Sequence, residues 1–174
     1  ISEIKLDNLI FKNYFNIKSF FPKIKKEVSF KDQIIKLKYE KDNLIIVGKG
    51  NVILQNEIDK IEYEILKSKK GFKLNTTLDI SKNPFEIDIL NYKKNKKSNL
   101  KLNLKAEQVS KNEFIFDEIS IKEKNNIFLI KNLTLSNNYK IDDIESVSFD
   151  YFDKQNLKNK IQLLKKNKNY FISG

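Results

Sequence analysis

Apolar side chains fall at every second position along most of this chain. Ile4-Lys5-Leu6, Ile35-Lys36-Leu37-Lys38-Tyr39 and Phe72-Lys73-Leu74-Asn75-Thr76-Thr77-Leu78-Asp79-Ile80 carry the pattern. Leu100-Lys101-Leu102-Asn103-Leu104, Ile119-Ser120-Ile121, Leu133-Thr134-Leu135 and Val147-Ser148-Phe149-Asp150-Tyr151 continue it. A period of two places alternate side chains on opposite faces of a pleated strand. Breaks rich in Asn, Asp, Lys or Gly separate the runs at 40–43, 55–57, 67–71, 93–99, 122–126, 137–138 and 165–169. These residue types tolerate turns. Consecutive long strands joined by short turns make a meander of roughly eleven strands. No alternation of strand and helix patterns suggests a parallel, doubly wound sheet.

One segment departs from the rhythm. Asn16-Ile17-Lys18-Ser19-Phe20-Phe21, followed by Pro22, reads as a single helical turn closed by the proline, or as an irregular strand. As a helical turn, its aromatics would plug one end of the sheet. Nothing else suggests a linker, so residues 1–174 are expected to form one domain. The predicted class is all-β: a long antiparallel meander curled into an open groove, with at most one short helix near the N-terminus.

The groove follows from area. Eleven one-faced strands at ~4.8 Å spacing present an apolar surface about 50 Å across. Soluble chains seldom leave such a patch in water. The sheet must therefore close as a barrel, fold as a sandwich, or curl around something apolar. The residues expected to line a groove are Leu74, Leu78, Ile80, Leu100, Leu102, Leu104, Phe114, Phe116, Ile119 and Ile121. In the alternative, the same residues pack on one another in a closed core, as in a structural or adhesive module.

Composition narrows the chemistry. His, Cys, Met, Trp and Arg are all absent. That removes imidazole bases, thiolate nucleophiles, disulfides, ordinary zinc sites and bidentate guanidinium clamps. No enzyme is expected, and neither a metal nor a cofactor is implied. Without a Met the segment reads as an internal piece of a longer protein. The longest strongly apolar run, residues 44–47, is far short of the roughly 20 residues that a membrane helix needs. The net charge is +11, carried by 34 Lys against 23 acidic residues. Abundant Lys, Asn, Ile, Phe and Tyr all follow from AT-rich codons. The excess is therefore read as a solvated lysine surface, with a functional anion-binding face as the alternative, and no nucleic-acid partner is expected.

Candidate sites weigh lightly. Gly48-Lys49-Gly50 lacks phosphate-loop spacing and reads as a strand bend or bulge. Asp142-Asp143 and Asp150 with Asp153 have the wrong parity to converge on one face, so turn and solvent roles are expected. The sequons at Asn75 and Asn132 fall inside predicted strands. Lys93-Lys94-Asn95-Lys96-Lys97, beside Tyr92, could meet phosphate groups of lipid or nucleic acid, but reads first as a solvated turn.

The stretch from Asp59 to Gly174, about two thirds of the chain, carries a resemblance. It runs through strands 58–65 and 72–80 and the segment 83–94 with Leu90-Asn91-Tyr92-Lys93. Further strands follow at 100–104, 114–121 and 128–135, and Tyr170-Phe171-Ile172-Ser173-Gly174 closes it. This resembles the repeating strands of the AsmA-like family, YhdP type. The resemblance implies a periplasmic, bridge-like protein anchored in the inner membrane by a segment outside this one. A β-sheet groove in such a protein shields phospholipid acyl chains between inner and outer membrane. Its partners would be those acyl chains and, through other parts of the parent chain, the two membranes. The family carries no catalytic residues.

Overall fold

The computed structural model describes residues 2–14, 17–69, 71–110, 113–136, 140–167 and 169–174. The predicted positions Asn16, Lys70, Asn137, Asn138 and Lys168 lie outside them. The strands are β1 (Ser2–Lys12), β2 (Glu27–Glu40), β3 (Asn43–Ile53), β4 (Asp59–Ser68) and β5 (Gly71–Ile80). A two-residue pair follows, β6 (Glu86–Ile87) and β7 (Tyr92–Lys93), around a 3₁₀ turn at Asp88–Leu90. Then come β8 (Leu100–Ser110), β9 (Glu113–Glu123), β10 (Asn126–Ser136), β11 (Ile141–Phe152), β12 (Lys158–Lys166) and β13 (Asn169–Ser173). All but β6 and β7 join one eleven-stranded antiparallel sheet in chain order, open rather than closed into a barrel.

Register turns the alternation into two unlike faces. One cross-strand file reads Ile4, Ile35, Gly48, Tyr63, Thr76, Leu104, Ile119, Ile130, Val147, Leu163 and Ile172. The file one residue away, on the other face, reads Lys5, Ile34, Lys49, Glu62, Thr77, Asn103, Ser120, Leu129, Ser148, Gln162 and Ser173. The polar face is tied laterally by hydrogen bonds from Thr77 Oγ1 to Asn103 Oδ1 (2.8 Å) and from Asn103 Nδ2 to Ser120 Oγ (3.2 Å). Cross-strand ion pairs such as Lys73–Glu107 (2.6 Å) and Lys158–Asp150 (3.4 Å) add little energy where water reaches them.

Among the described residues, no second layer of strands packs on the apolar face. Apart from the small β6–β7 element, each extensive strand contact joins hydrogen-bonded neighbours. What covers the face is a plug, made from residues 17–24 and 82–98, lying over one end of it. There Phe21, Phe85, Ile87 and Tyr92 pack on Val52, Leu78, Ile80, Leu100, Ile121, Phe128 and Tyr151. This is the described protein's main buried core.

The segment 83–94 does not join the large sheet as a strand. Phe85 and Ile87 point into the core, but Asp88–Leu90 coils into a 3₁₀ turn stopped by Asn91 at φ 50°. The short helical element thus sits in mid-chain. In the N-terminal segment, Phe20 N–H (3.0 Å) and Phe21 N–H (2.9 Å) donate to Ile17 O. That is one turn, and it delivers Phe21 to the plug at 5.3 Å from the Phe85 ring.

The glycine pair serves close approach within β3. A Cβ on Gly48 would overlap the Tyr63 ring, and one on Gly50 would overlap the Gln33 amide and the Asp32 carbonyl. The bulge lies across from them, in β2, where the pairing skips between Lys31 and Ile34. Gln33 is buried there, and its Nε2 holds the carbonyls of Lys31 (3.0 Å) and Asn51 (2.8 Å). Gly50→Val is expected to cost about 1–3 kcal/mol, because the amide and the carbonyl must both move. Gly48→Ala should cost less, since a tyrosine ring can swing aside. Urea midpoints of the two variants test the order, and an equal loss would refute it.

Candidate functional site: the apolar face and its plug

The ten expected groove residues share one face of β5, β8 and β9, and the plug divides them. Leu78, Ile80, Leu100 and Ile121 are buried beneath it. Leu74, Leu104, Phe114, Phe116 and Ile119 lie beyond it and are half-buried by one another, as is Leu102 at the plug's margin. The Phe72 and Phe114 rings meet at 6.3 Å near the far end. The apolar surface therefore has a dry end and an open end. The open end runs across all eleven strands and grows more exposed toward the edges, reaching 74% at Ile172 in β13.

Polar side chains fasten the plug, and these are the residues that sequence reasoning missed. Glu123, at the end of β9, is buried and accepts four hydrogen bonds. They come from Tyr92 Oη (2.6 Å), Asn95 N (2.8 Å), Asn126 Nδ2 (3.1 Å) and Ser98 Oγ. Burial pushes its acidity weaker, but the donors from Ser98, Tyr92, Asn95 and Asn126 outweigh that and hold it below the usual glutamate range. Burial, and then Glu123, raise the Tyr92 hydroxyl far above its ordinary value. At the other side, Asn83 bridges the backbone of Glu57 and the Asp59 carboxylate at 2.7–3.0 Å. Gln55 accepts from Lys23 N (3.0 Å) and donates to Pro84 O (2.8 Å). Asp59 is raised, by burial first, against donors from Asn83 and Ser81.

The basic cluster at 93–97 is divided as well. Lys96 and Lys97 are exposed, and Lys93 pairs with Glu86 at 2.8 Å. Lys94, however, is only 3% exposed, with Nζ on the carbonyls of Ser81 (2.5 Å) and Asn95 (3.2 Å). Burial lowers it, while Glu123 and Asp59 pull the other way. A solvated turn does not describe Lys94, because the plug folds it inward between two carboxylates. The only sequence signal for this was its place between Tyr92 and the acids of neighbouring turns.

The acidic candidates stay apart. Asp143 binds Lys165 Nζ (2.5 Å) and Tyr170 Oη (2.9 Å), Asp150 pairs with Lys158, and Asp153 accepts from Gln155 N and Leu157 N in a turn. Among the described residues no cluster of three metal-ligating side chains occurs. Also among them, no helix is long and apolar enough to cross a membrane. The arrangement offers a large apolar surface and a fastened plug. No family model, curated protein or solved structure matches this chain.

Proposed function

We propose that the open half of the apolar face holds the acyl chains of phospholipid. The chain would act as a segment of a periplasmic, bridge-like protein of the AsmA-like, YhdP type, passing lipid between inner and outer membrane. One observation carries the reading: eleven strands align a mainly apolar file from Ile4 to Ile172, and beyond the plug no other strand layer among the described residues packs on it. Removing apolar surface from water is worth roughly 25 cal/mol per Å², so hydrocarbon laid on this face stabilises both partners without directed hydrogen bonds. No catalytic step is assigned to the chain.

The dry core beneath the plug favours a second reading, a structural or adhesive module whose face is completed by protein. Organic extraction and native mass spectrometry of the purified chain separate the two. Bound, exchangeable phospholipid is expected. A chain that carries none, and takes up none from added vesicles, would end the lipid reading.

A further inference from the structure

The antiparallel meander sorts its connections to two ends. The plug, the turns at 54–58, 124–125 and 153–157, and the residues 13–14 and 17–26 all lie at one end. Charge is sorted with them. The eleven strands of the sheet hold seventeen lysines against eighteen acidic residues, close to neutral. The connections at the plugged end hold eleven lysines against four acids, Glu57, Glu86, Asp88 and Asp153. A codon bias sets how many lysines a chain has. The excess lies in the connections: the plugged end carries +7, with Lys94 buried among its lysines, and the opposite end carries +5, six lysines against Asp42 alone.

The same end displays aliphatic tips. Ile89, at the 3₁₀ turn, is 93% exposed, Leu157 is 58% exposed and Ile58 is 52% exposed. Their turns are joined into one surface. Lys154 N–H donates to Asn91 O at 2.8 Å, and Lys154 Nζ lies 3.5 Å from Glu86 and 3.6 Å from Asp88. Glu86 N–H donates to Phe20 O at 3.1 Å, and Glu57 N–H to Asn83 Oδ1 at 3.0 Å. Behind Ile58 a hollow of about 530 Å³ is lined by Lys60, Lys101 and Lys122 with Asp79 and Ser81. Lys101 and Lys122 face each other directly across the β8–β9 ladder, and Asp79 lies 3.7 Å from Lys101 Nζ, so three lysines share one carboxylate in the hollow.

We propose that the plugged end of the sheet is a docking surface for an anionic lipid bilayer. Lysines near such a surface are drawn by its potential, while Ile58, Ile89 and Leu157 enter the boundary between headgroups and acyl chains. The hollow beside Ile58 seats a phosphate headgroup. Nucleic acid is the poorer partner. Tyr14 and Phe20 are exposed at this end and could stack on bases, but the aliphatic tips Ile58, Ile89 and Leu157 give nothing to a phosphate backbone. This surface is separate from the open apolar face, and its docking does not require that face to hold lipid.

Co-sedimentation of the whole chain with vesicles tests it. Binding is expected to phosphatidylcholine vesicles containing phosphatidylglycerol, to weaken with salt, and to be absent with phosphatidylcholine alone. The pair Ile89→Asp and Leu157→Asp should weaken binding roughly tenfold or more, through lost apolar insertion. Lys96→Glu with Lys97→Glu should do likewise through charge. All four side chains are exposed, so the melting temperature should not move. No sedimentation with anionic vesicles, full binding by the Ile89/Leu157 variant, or tighter binding to a single-stranded oligonucleotide than to vesicles would each overturn the proposal. Leu104→Asp with Ile119→Asp should leave docking intact, which keeps this result separate from the lipid content of the groove.

Discussion

Replacing Glu123 by Ala is expected to lower the unfolding free energy by about 3–5 kcal/mol, the cost of breaking a buried charged network. The carboxylate gathers Tyr92, Asn95, Ser98 and Asn126 from both sides of the plug. Without it, the fully buried Tyr92 hydroxyl is left unpaired, at roughly 1–3 kcal/mol before relaxation, and Asn95 N loses its acceptor, while Ser98 Oγ keeps Asn95 O at 3.0 Å. Lys94 also loses one of the two carboxylates that offset its burial. The unfolding midpoint in urea measures the loss, and a change below about 1 kcal/mol would show that the plug is not fastened there. The same group sets a pH dependence. Its folded-state acidity is stronger than the unfolded value of 4.5, so its stabilisation is complete above that pH and is lost as pH falls through the lowered value. Asp59 runs the opposite way, since its raised value makes the folded state lose stability as pH climbs from 3.8 through it. The acid limb of wild-type stability is thus expected to be steeper than that of Glu123→Gln, with Asp59 flattening both limbs alike. Parallel limbs would contradict this assignment.

Leu104→Asp combined with Ile119→Asp should abolish phospholipid retention, by about tenfold per site from lost apolar contact alone. These side chains pair directly across β8 and β9, on the open face beyond the plug. A carboxylate there faces hydrocarbon when lipid is present and water when it is absent. Lipid content, measured by extraction, should therefore collapse while the urea midpoint shifts by no more than about 1–2 kcal/mol. Asn103→Asp, one residue away on the polar face, serves as the control and should retain lipid. If the double variant instead unfolds the chain, the face is closed by protein and the structural-module reading takes over.

How much of this was legible in the chain varies by element. Alternation in Phe72–Ile80 or Val147–Tyr151 identified strands, their number and their shared apolar face. The long period-two runs left no other secondary structure able to bury that face. Alternation alone does not place the segment 83–94. Phe85 and Ile87 keep strand parity, yet Ile89, next in the series, ends in water at the tip of a turn. Local pattern states that a residue wants burial; it does not say whether the burying surface is a neighbouring strand or the floor beneath. Lys94 and Glu123 were equally opaque, each reading as a charge at a turn. Their burial depends on partners brought from 13 and as many as 31 residues away.

The chain by itself pointed to an antiparallel all-β meander with one oily side, because period-two runs recur along it between turn-rich breaks. Only the folded arrangement decided that this side is half covered. Whether residues 82–98 join the sheet edgewise or lie across it depends on hydrogen bonds to Asp59, Gln55 and Glu123, and those exist only once distant strands stand side by side.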